Sequence, residues 1–120
     1  MSLLIFLMSL LGCNTGFRSM EVEQFEIAIQ ADSVMLVDVR TPQEYASGHL
    51  KNAVNIDVNA SDFAEQIQTL DKEKTIAVYC RSGRRSKKAA NILTTNGYKV
   101  IELNSGYIGW QQAGKQTTQD

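Results

Sequence analysis

The segment Cys80-Arg81-Ser82-Gly83-Arg84-Arg85-Ser86 sets one thiol ahead of three arginines and a glycine. A loop of this composition can curl so that successive backbone N–H groups converge on one point, which suits an anion. A helix opening near Ser86 adds the partial positive charge of its N-terminus. At the lip of such a cradle a cysteine becomes a nucleophile, because N–H donors and guanidinium groups favour thiolate over thiol. The only histidine, His49, lies outside the loop, so a Cys–His dyad is the less economical means of activation. Cys80 is therefore the candidate catalytic residue, and Arg81, Ser82, Gly83, Arg84, Arg85 and Ser86 are the candidate anion-binding groups. Arg81 and Arg84 are best placed to meet a charged substrate. The bland alternative is an ordinary buried thiol at a strand end. Neither Cys80 nor the other cysteine, Cys13, has the paired Cys/His spacing of a zinc site, and no metal or organic cofactor is expected.

The loop needs a strand before it and a helix after it. Ile76 to Tyr79 is a short, partly β-branched apolar run, as are Val34 to Val37 and Val100 to Leu103. Such runs predict strands buried on both faces. Ala53 to Ile56 is a weaker fourth. Helical stretches separate them: Glu21 to Gln30, Pro42 to Ser47, Asp62 to Leu70, Ser86 to Thr95, and Tyr107 to Ala113. This alternation predicts an α/β fold with a central, mainly parallel sheet of about five strands and helices on both faces. Ligands of such sheets bind at the carboxyl ends of the strands, where Cys80 falls. Thr41-Pro42-Gln43-Glu44 reads as a capping box with proline at the first helical position.

The chain has 120 residues, 43% of them apolar, with 12 Lys and Arg against 13 Asp and Glu. That balance excludes a nucleic-acid binder working through bulk charge. Ten of the first 13 residues are apolar and none is charged. The run is too short to span a bilayer but suits a signal-peptide apolar region. It ends in Leu10-Leu11-Gly12-Cys13, similar to a bacterial lipobox, which makes Cys13 a candidate lipidation site. The expected organisation is a leader over 1–13, a tether over 14–18, one domain over 19–114 and a polar tail over 115–120. The expected location is the cell envelope, lipid-anchored or periplasmic, or the cytoplasm if the leader is not a signal.

Four separated motifs resemble those of single-domain rhodaneses, a sulfurtransferase family with a three-layer α/β fold. They are Asp38-Val39-Arg40; the stretch from Glu44-Tyr45 through Gly48-His49-Leu50 and Ala53 to Asn55-Ile56; the cysteine loop; and Gly106-Tyr107-Ile108-Gly109-Trp110. Asp57 and Ser105 depart from the family pattern, which often has Pro and Gly there. The resemblance implies transfer of a sulfane sulfur from a donor such as thiosulfate or a persulfide, through a persulfide on Cys80, to cyanide, a small thiol or a protein cysteine. It also implies that Asp38, Arg40, Glu44 and Trp110 are structural, with Arg40 expected to pair with Glu44 and Trp110 to anchor the last helix. His49 reads as a local hydrogen-bonding group, and Arg85, Lys87 and Lys88 as either a solvated helix face or part of the anion site. A monomer is expected. Two other functions stand beside this one, a cysteine phosphatase or arsenate reductase and a rhodanese-like binding module. Cysteine phosphatases place an arginine six positions after the nucleophile, where this chain has Ser86.

Overall fold

A computed structural model describes residues 16–120; the leader, the lipobox and Cys13 lie outside the described residues. Five strands form one wholly parallel sheet: β1 (Arg18–Met20), β2 (Val34–Asp38), β3 (Val54–Asn55), β4 (Thr75–Tyr79) and β5 (Lys99–Leu103), in the order β1-β5-β4-β2-β3. The connecting helices are α1 (Val22–Ala28), α2 (Pro42–Ser47), α3 (Phe63–Gln66) with a 3-10 turn (Ile67–Thr69), α4 (Arg84–Thr95) and α5 (Gly106–Gln112).

The apolar runs of β2, β4 and β5 are buried because each feeds two cores at once. Side chains alternate across a strand, so β4 sends Ile76 and Val78 to one face and Ala77 and Tyr79 to the other. Cys80 continues the first set. That first face packs Val37, Val78, Ile76 and Val100 against Phe63, Ile67, Ala89, Ala90 and Leu93. The second packs Leu36, Ala77, Tyr79 and Leu103 against Phe25, Leu50 and Trp110. Full burial of an Ile, Val or Leu side chain contributes about 1.5–3 kcal/mol, so these strands are stabilised from both sides.

Three elements depart most from the sequence reading. Strand β1 carries no apolar pattern, only Arg-Ser-Met, and is held at the edge by parallel pairing with β5. Helix α4 begins at Arg84, two residues before the expected start, because the left-handed Gly83 serves as its N-cap. The stretch expected to be one helix over 62–70 divides into α3 and the 3-10 turn. Helix α2 matches its expected bounds, and its capping box is complete: Thr41 Oγ1 accepts from the Glu44 N–H at 3.2 Å while Glu44 Oε1 accepts from the Thr41 N–H at 3.1 Å. The end of the polar tail folds back, with reciprocal backbone bonds of 2.9 Å joining Thr118 to His49.

Candidate active site

Cys80 follows the last residue of the central strand β4 and is almost fully buried. The loop it opens is shaped from outside by α5. The Tyr107 N–H donates to the Cys80 carbonyl at 2.8 Å and the Ile108 N–H to the Arg81 carbonyl at 3.0 Å. Helix α5 thus uses its unpaired first-turn donors to draw the loop carbonyls toward itself. Gly106 permits the approach: at φ +65°, a Cβ there would lie 2.5 Å from the Arg81 oxygen and 2.8 Å from the Cys80 oxygen. With the carbonyls held there, the Gly83 N–H donates to Cys80 Sγ at 3.1 Å. Gly83 itself sits at φ +100°, where a Cβ would fall 2.2 Å from the Asn104 carbonyl oxygen. Helix α4 begins immediately after it, so its own unpaired N–H groups open beside the sulfur.

The buried stripe of α4 is Ser86, Ala89, Ala90 and Leu93, the i, i+3, i+4, i+7 spacing of one helical face. The same stripe that packs α4 on the sheet therefore aims Ser86 inward. Its Oγ lies 3.4 Å from Cys80 Sγ and 2.5 Å from Glu102 Oε2. Arg81, Ser82 and Arg84 are exposed around the rim.

Arg85 does not stay free for substrate. Its guanidinium grips Glu44 with two bonds, of 2.7 and 2.9 Å. The Arg85 bond, aided by the Thr41 backbone and opposed by partial burial, holds the Glu44 carboxyl down at about 2. The expected Arg40–Glu44 pair is therefore corrected. Arg40 instead turns back on Asp38, its Nη2 2.7 Å from Oδ2 and its Nε 3.0 Å from Oδ1, and Nη2 also donates to the Gly48 carbonyl at 2.7 Å. A carboxylate two residues away, already fixed by the Arg40 N–H at 2.9 Å and by Tyr79 Oη at 2.7 Å, outcompetes one on the next helix. Burial and the nearby Asp38 charge raise the Tyr79 phenol, which keeps it a donor to Asp38 and an acceptor from the Leu50 N–H at 3.0 Å. The Tyr107 ring covers the other side of Arg40, 4.3 Å from its centroid.

The remaining predicted residues fall nearby. His49 stacks on Tyr45 at 3.7 Å between centroids, and its Nδ1 lies 2.7 Å from the Tyr45 carbonyl oxygen. Trp110 is buried in the second core, and its indole N–H donates to the Gln116 carbonyl at 2.9 Å. Lys87 and Lys88 are not merely solvated: Lys87 contacts Glu102 at 3.2 Å and Lys88 contacts Asn59 at 3.1 Å. A cleft of about 340 Å³ lined by Arg40, Glu44, Gly48, Arg81, Tyr107 and Ile108 borders the loop. A larger one of about 520 Å³ lies at the opposite end of the sheet, by Val34, Lys74 and Trp110.

The model of the rhodanese-like domain matches residues 13–113. The chain belongs to the rhodanese-like family. A putative sulfurtransferase of Bacillus subtilis, YtwF, is 35% identical over 98 residues, which cover 77% of this chain and 93% of that protein. The tRNA uridine(34) hydroxylase of Cytophaga hutchinsonii is 37% identical over 85% of this chain, but the match spans only 34% of the hydroxylase. Among solved structures, a rhodanese-related protein from Thermoplasma volcanium superposes with a TM-score of 0.78 at 27% identity, covering 87% of this chain and all of that one.

Within this rhodanese-like domain the two departures have local explanations. Asp57, where Pro is frequent, accepts from the Asn59 N–H at 2.9 Å and so builds its turn with a side chain. Ser105, where Gly is frequent, presses its Oγ against Gly109, where a Cβ would come within 1.9 Å. Two residues of the site escape sequence reading, Glu102 and Ser19. Glu102 sits in an otherwise apolar run, and a lone acid in a buried strand was the signal available; Ser19 had none.

Proposed function

We propose that this protein is a sulfurtransferase in which Cys80 carries the sulfur. Its thiolate attacks the outer sulfur of a donor such as thiosulfate; the S–S bond of the donor breaks, sulfite leaves with the bonding pair, and Cys80 is left as an anionic persulfide. Cyanide, a small thiol or a protein cysteine then takes the terminal sulfur and returns the thiolate, a two-step covalent cycle. The supporting observation is the Gly83 N–H aimed at Sγ from 3.1 Å, beneath a helix N-terminus and with the loop carbonyls turned away. That arrangement stabilises an anion on the sulfur. Arg81 and Arg84 stand at the rim to meet a donor's sulfonate or an anionic acceptor. The B. subtilis relative's name points the same way.

A phosphatase would need a free arginine at the end of the loop, whereas Arg85 is committed to Glu44. Thiosulfate treatment is expected to add one sulfur to Cys80 by mass spectrometry and to yield thiocyanate with cyanide. An unmodified Cys80 with no thiocyanate would overturn the assignment, and hydrolysis of a phosphotyrosine analogue would install the phosphatase in its place. A Cys80→Ser protein that kept its biological function would point to a binding module. The lipid anchor at Cys13 is proposed from the lipobox-like sequence, and a Cys13→Ala protein still found with membranes would refute it.

A further inference from the structure

Among the described residues two carboxylates are fully buried, Asp38 and Glu102. Asp38 is saturated by Arg40. Glu102 has a single cationic neighbour, Lys87 on α4, at 3.2 Å from Oε2 with a side chain 40% exposed. Its other partners are two hydroxyls, Ser19 of β1 at 2.6 Å from Oε1 and Ser86 of α4 at 2.5 Å from Oε2. Across the sheet its register partner on β4 is the apolar Val78. A carboxylate held out of water on this little compensation is costly, and an aliphatic residue would suit the run better. Through Ser86 the carboxylate reaches Cys80 Sγ, 3.4 Å further on.

Ser86 has one proton to give. In the geometry described it goes to Glu102, so Ser86 is an acceptor toward Cys80 and the thiol S–H donates to it. The opposite polarity serves a thiolate: a protonated Glu102 donates to Ser86, and Ser86 donates to Sγ. We propose that Glu102 is a positioning residue that takes up the Cys80 proton through Ser86. The S–H bond breaks as an O–H bond forms on Ser86, and the original Ser86 O–H bond breaks as one forms on Glu102 Oε2. Nothing is oxidised or reduced. The pair keeps one negative charge throughout, beside Lys87, so activation of the thiol leaves the buried charge unchanged. Arg85 is occupied by Glu44.

The use of the relay in charging Cys80 rests on the sulfur-transfer reading; the relay itself is tested without it. The rate of Cys80 alkylation by iodoacetamide is measured against pH in the full chain. A thiol and a carboxyl sharing one proton titrate in two macroscopic steps, so the wild type is expected to rise to a plateau and then rise again. Glu102→Gln, which keeps the shape but cannot store the proton, is expected to give one step. Ser86→Ala, which leaves Glu102 and Lys87 in place, is expected to lower the plateau rate roughly tenfold, as for loss of a hydrogen bond to a charged group. A second readout needs no variant to fold: once mass spectrometry shows a persulfide on Cys80, the infrared difference spectrum against the free enzyme should gain a carboxylic-acid C=O band. A single-step wild-type profile overturns the relay, as does a fully charged enzyme without the band. Failure to charge with sulfur instead strikes the sulfur-transfer reading, and the alkylation profile still decides the relay.

Discussion

Two loops leave neighbouring strands of the same sheet, Asp38-Val39-Arg40 after β2 and Cys80 to Gly83 after β4, with Asp38 and Tyr79 paired in register. The first closes on itself. Asp38 receives the Arg40 backbone, the Arg40 guanidinium and the Tyr79 hydroxyl, and Arg40 spends its remaining reach on Gly48. The second is left unfinished, with its carbonyls held by α5, one N–H on the sulfur, and two arginines at the rim. Both sit where a parallel sheet binds ligands. Position alone therefore does not make a site; what separates them is whether the polar groups have already found partners within the protein.

The sharpest way to break the contrast is Cys80→Ser. Sulfur transfer is expected to fall more than about 10⁴-fold while the thermal melt stays close to wild type, checked by thiocyanate formation and calorimetry. Asp38→Asn should do the reverse. Removing the charge opposite a buried Arg40 is expected to cost about 3–5 kcal/mol, read as a lower denaturant midpoint with an unchanged slope, with transfer by the folded fraction little affected. Gly106→Ala tests whether α5 shapes the second loop. A Cβ there collides with the Arg81 and Cys80 carbonyls, and about 1–3 kcal/mol of stability and roughly tenfold in kcat should be lost together. The smallest effect belongs to the link between the two regions, Arg85–Glu44. The Glu44 carboxyl is lowered from 4.5 to about 2, so the pair stabilises the fold above pH 4.5 and loses that contribution as pH falls through about 2. Being partly solvated, it contributes about 1 kcal/mol, and an Arg85→Gln protein should show a shallower loss of stability over that window.

What could be read from the sequence was what lies close along the chain. The capping box spans Thr41 to Glu44 and appeared where expected, and the apolar runs marked β2, β4 and β5 because both faces of those strands are buried. Cys80, the glycine and the arginines of its loop were visible as a contiguous segment. What escaped depends on distance along the chain. Glu44 finds Arg85 41 residues away, and no spacing rule reaches so far. Sequence alone pairs Arg40 with the wrong carboxylate because a helical neighbour and a backbone turn compete, and only the fold decides between them. Glu102 was hidden because hydrophobic patterning treats a run with one acid as a strand and asks nothing more of it.

The pairing of β1 with β5 has a consequence for how the molecule is made. Ser19 is synthesised long before Glu102, 83 residues downstream, and among the described residues β1 has no other sheet neighbour. A nascent chain can hold the cysteine loop and α4 outside the ribosome before the C-terminal end of β5 emerges. The buried carboxylate and its outer hydroxyl are brought together only once β5 has been made. The polar surroundings of the thiol thus draw on both ends of the sheet-forming sequence, and they are complete only when β1 and β5 lie side by side.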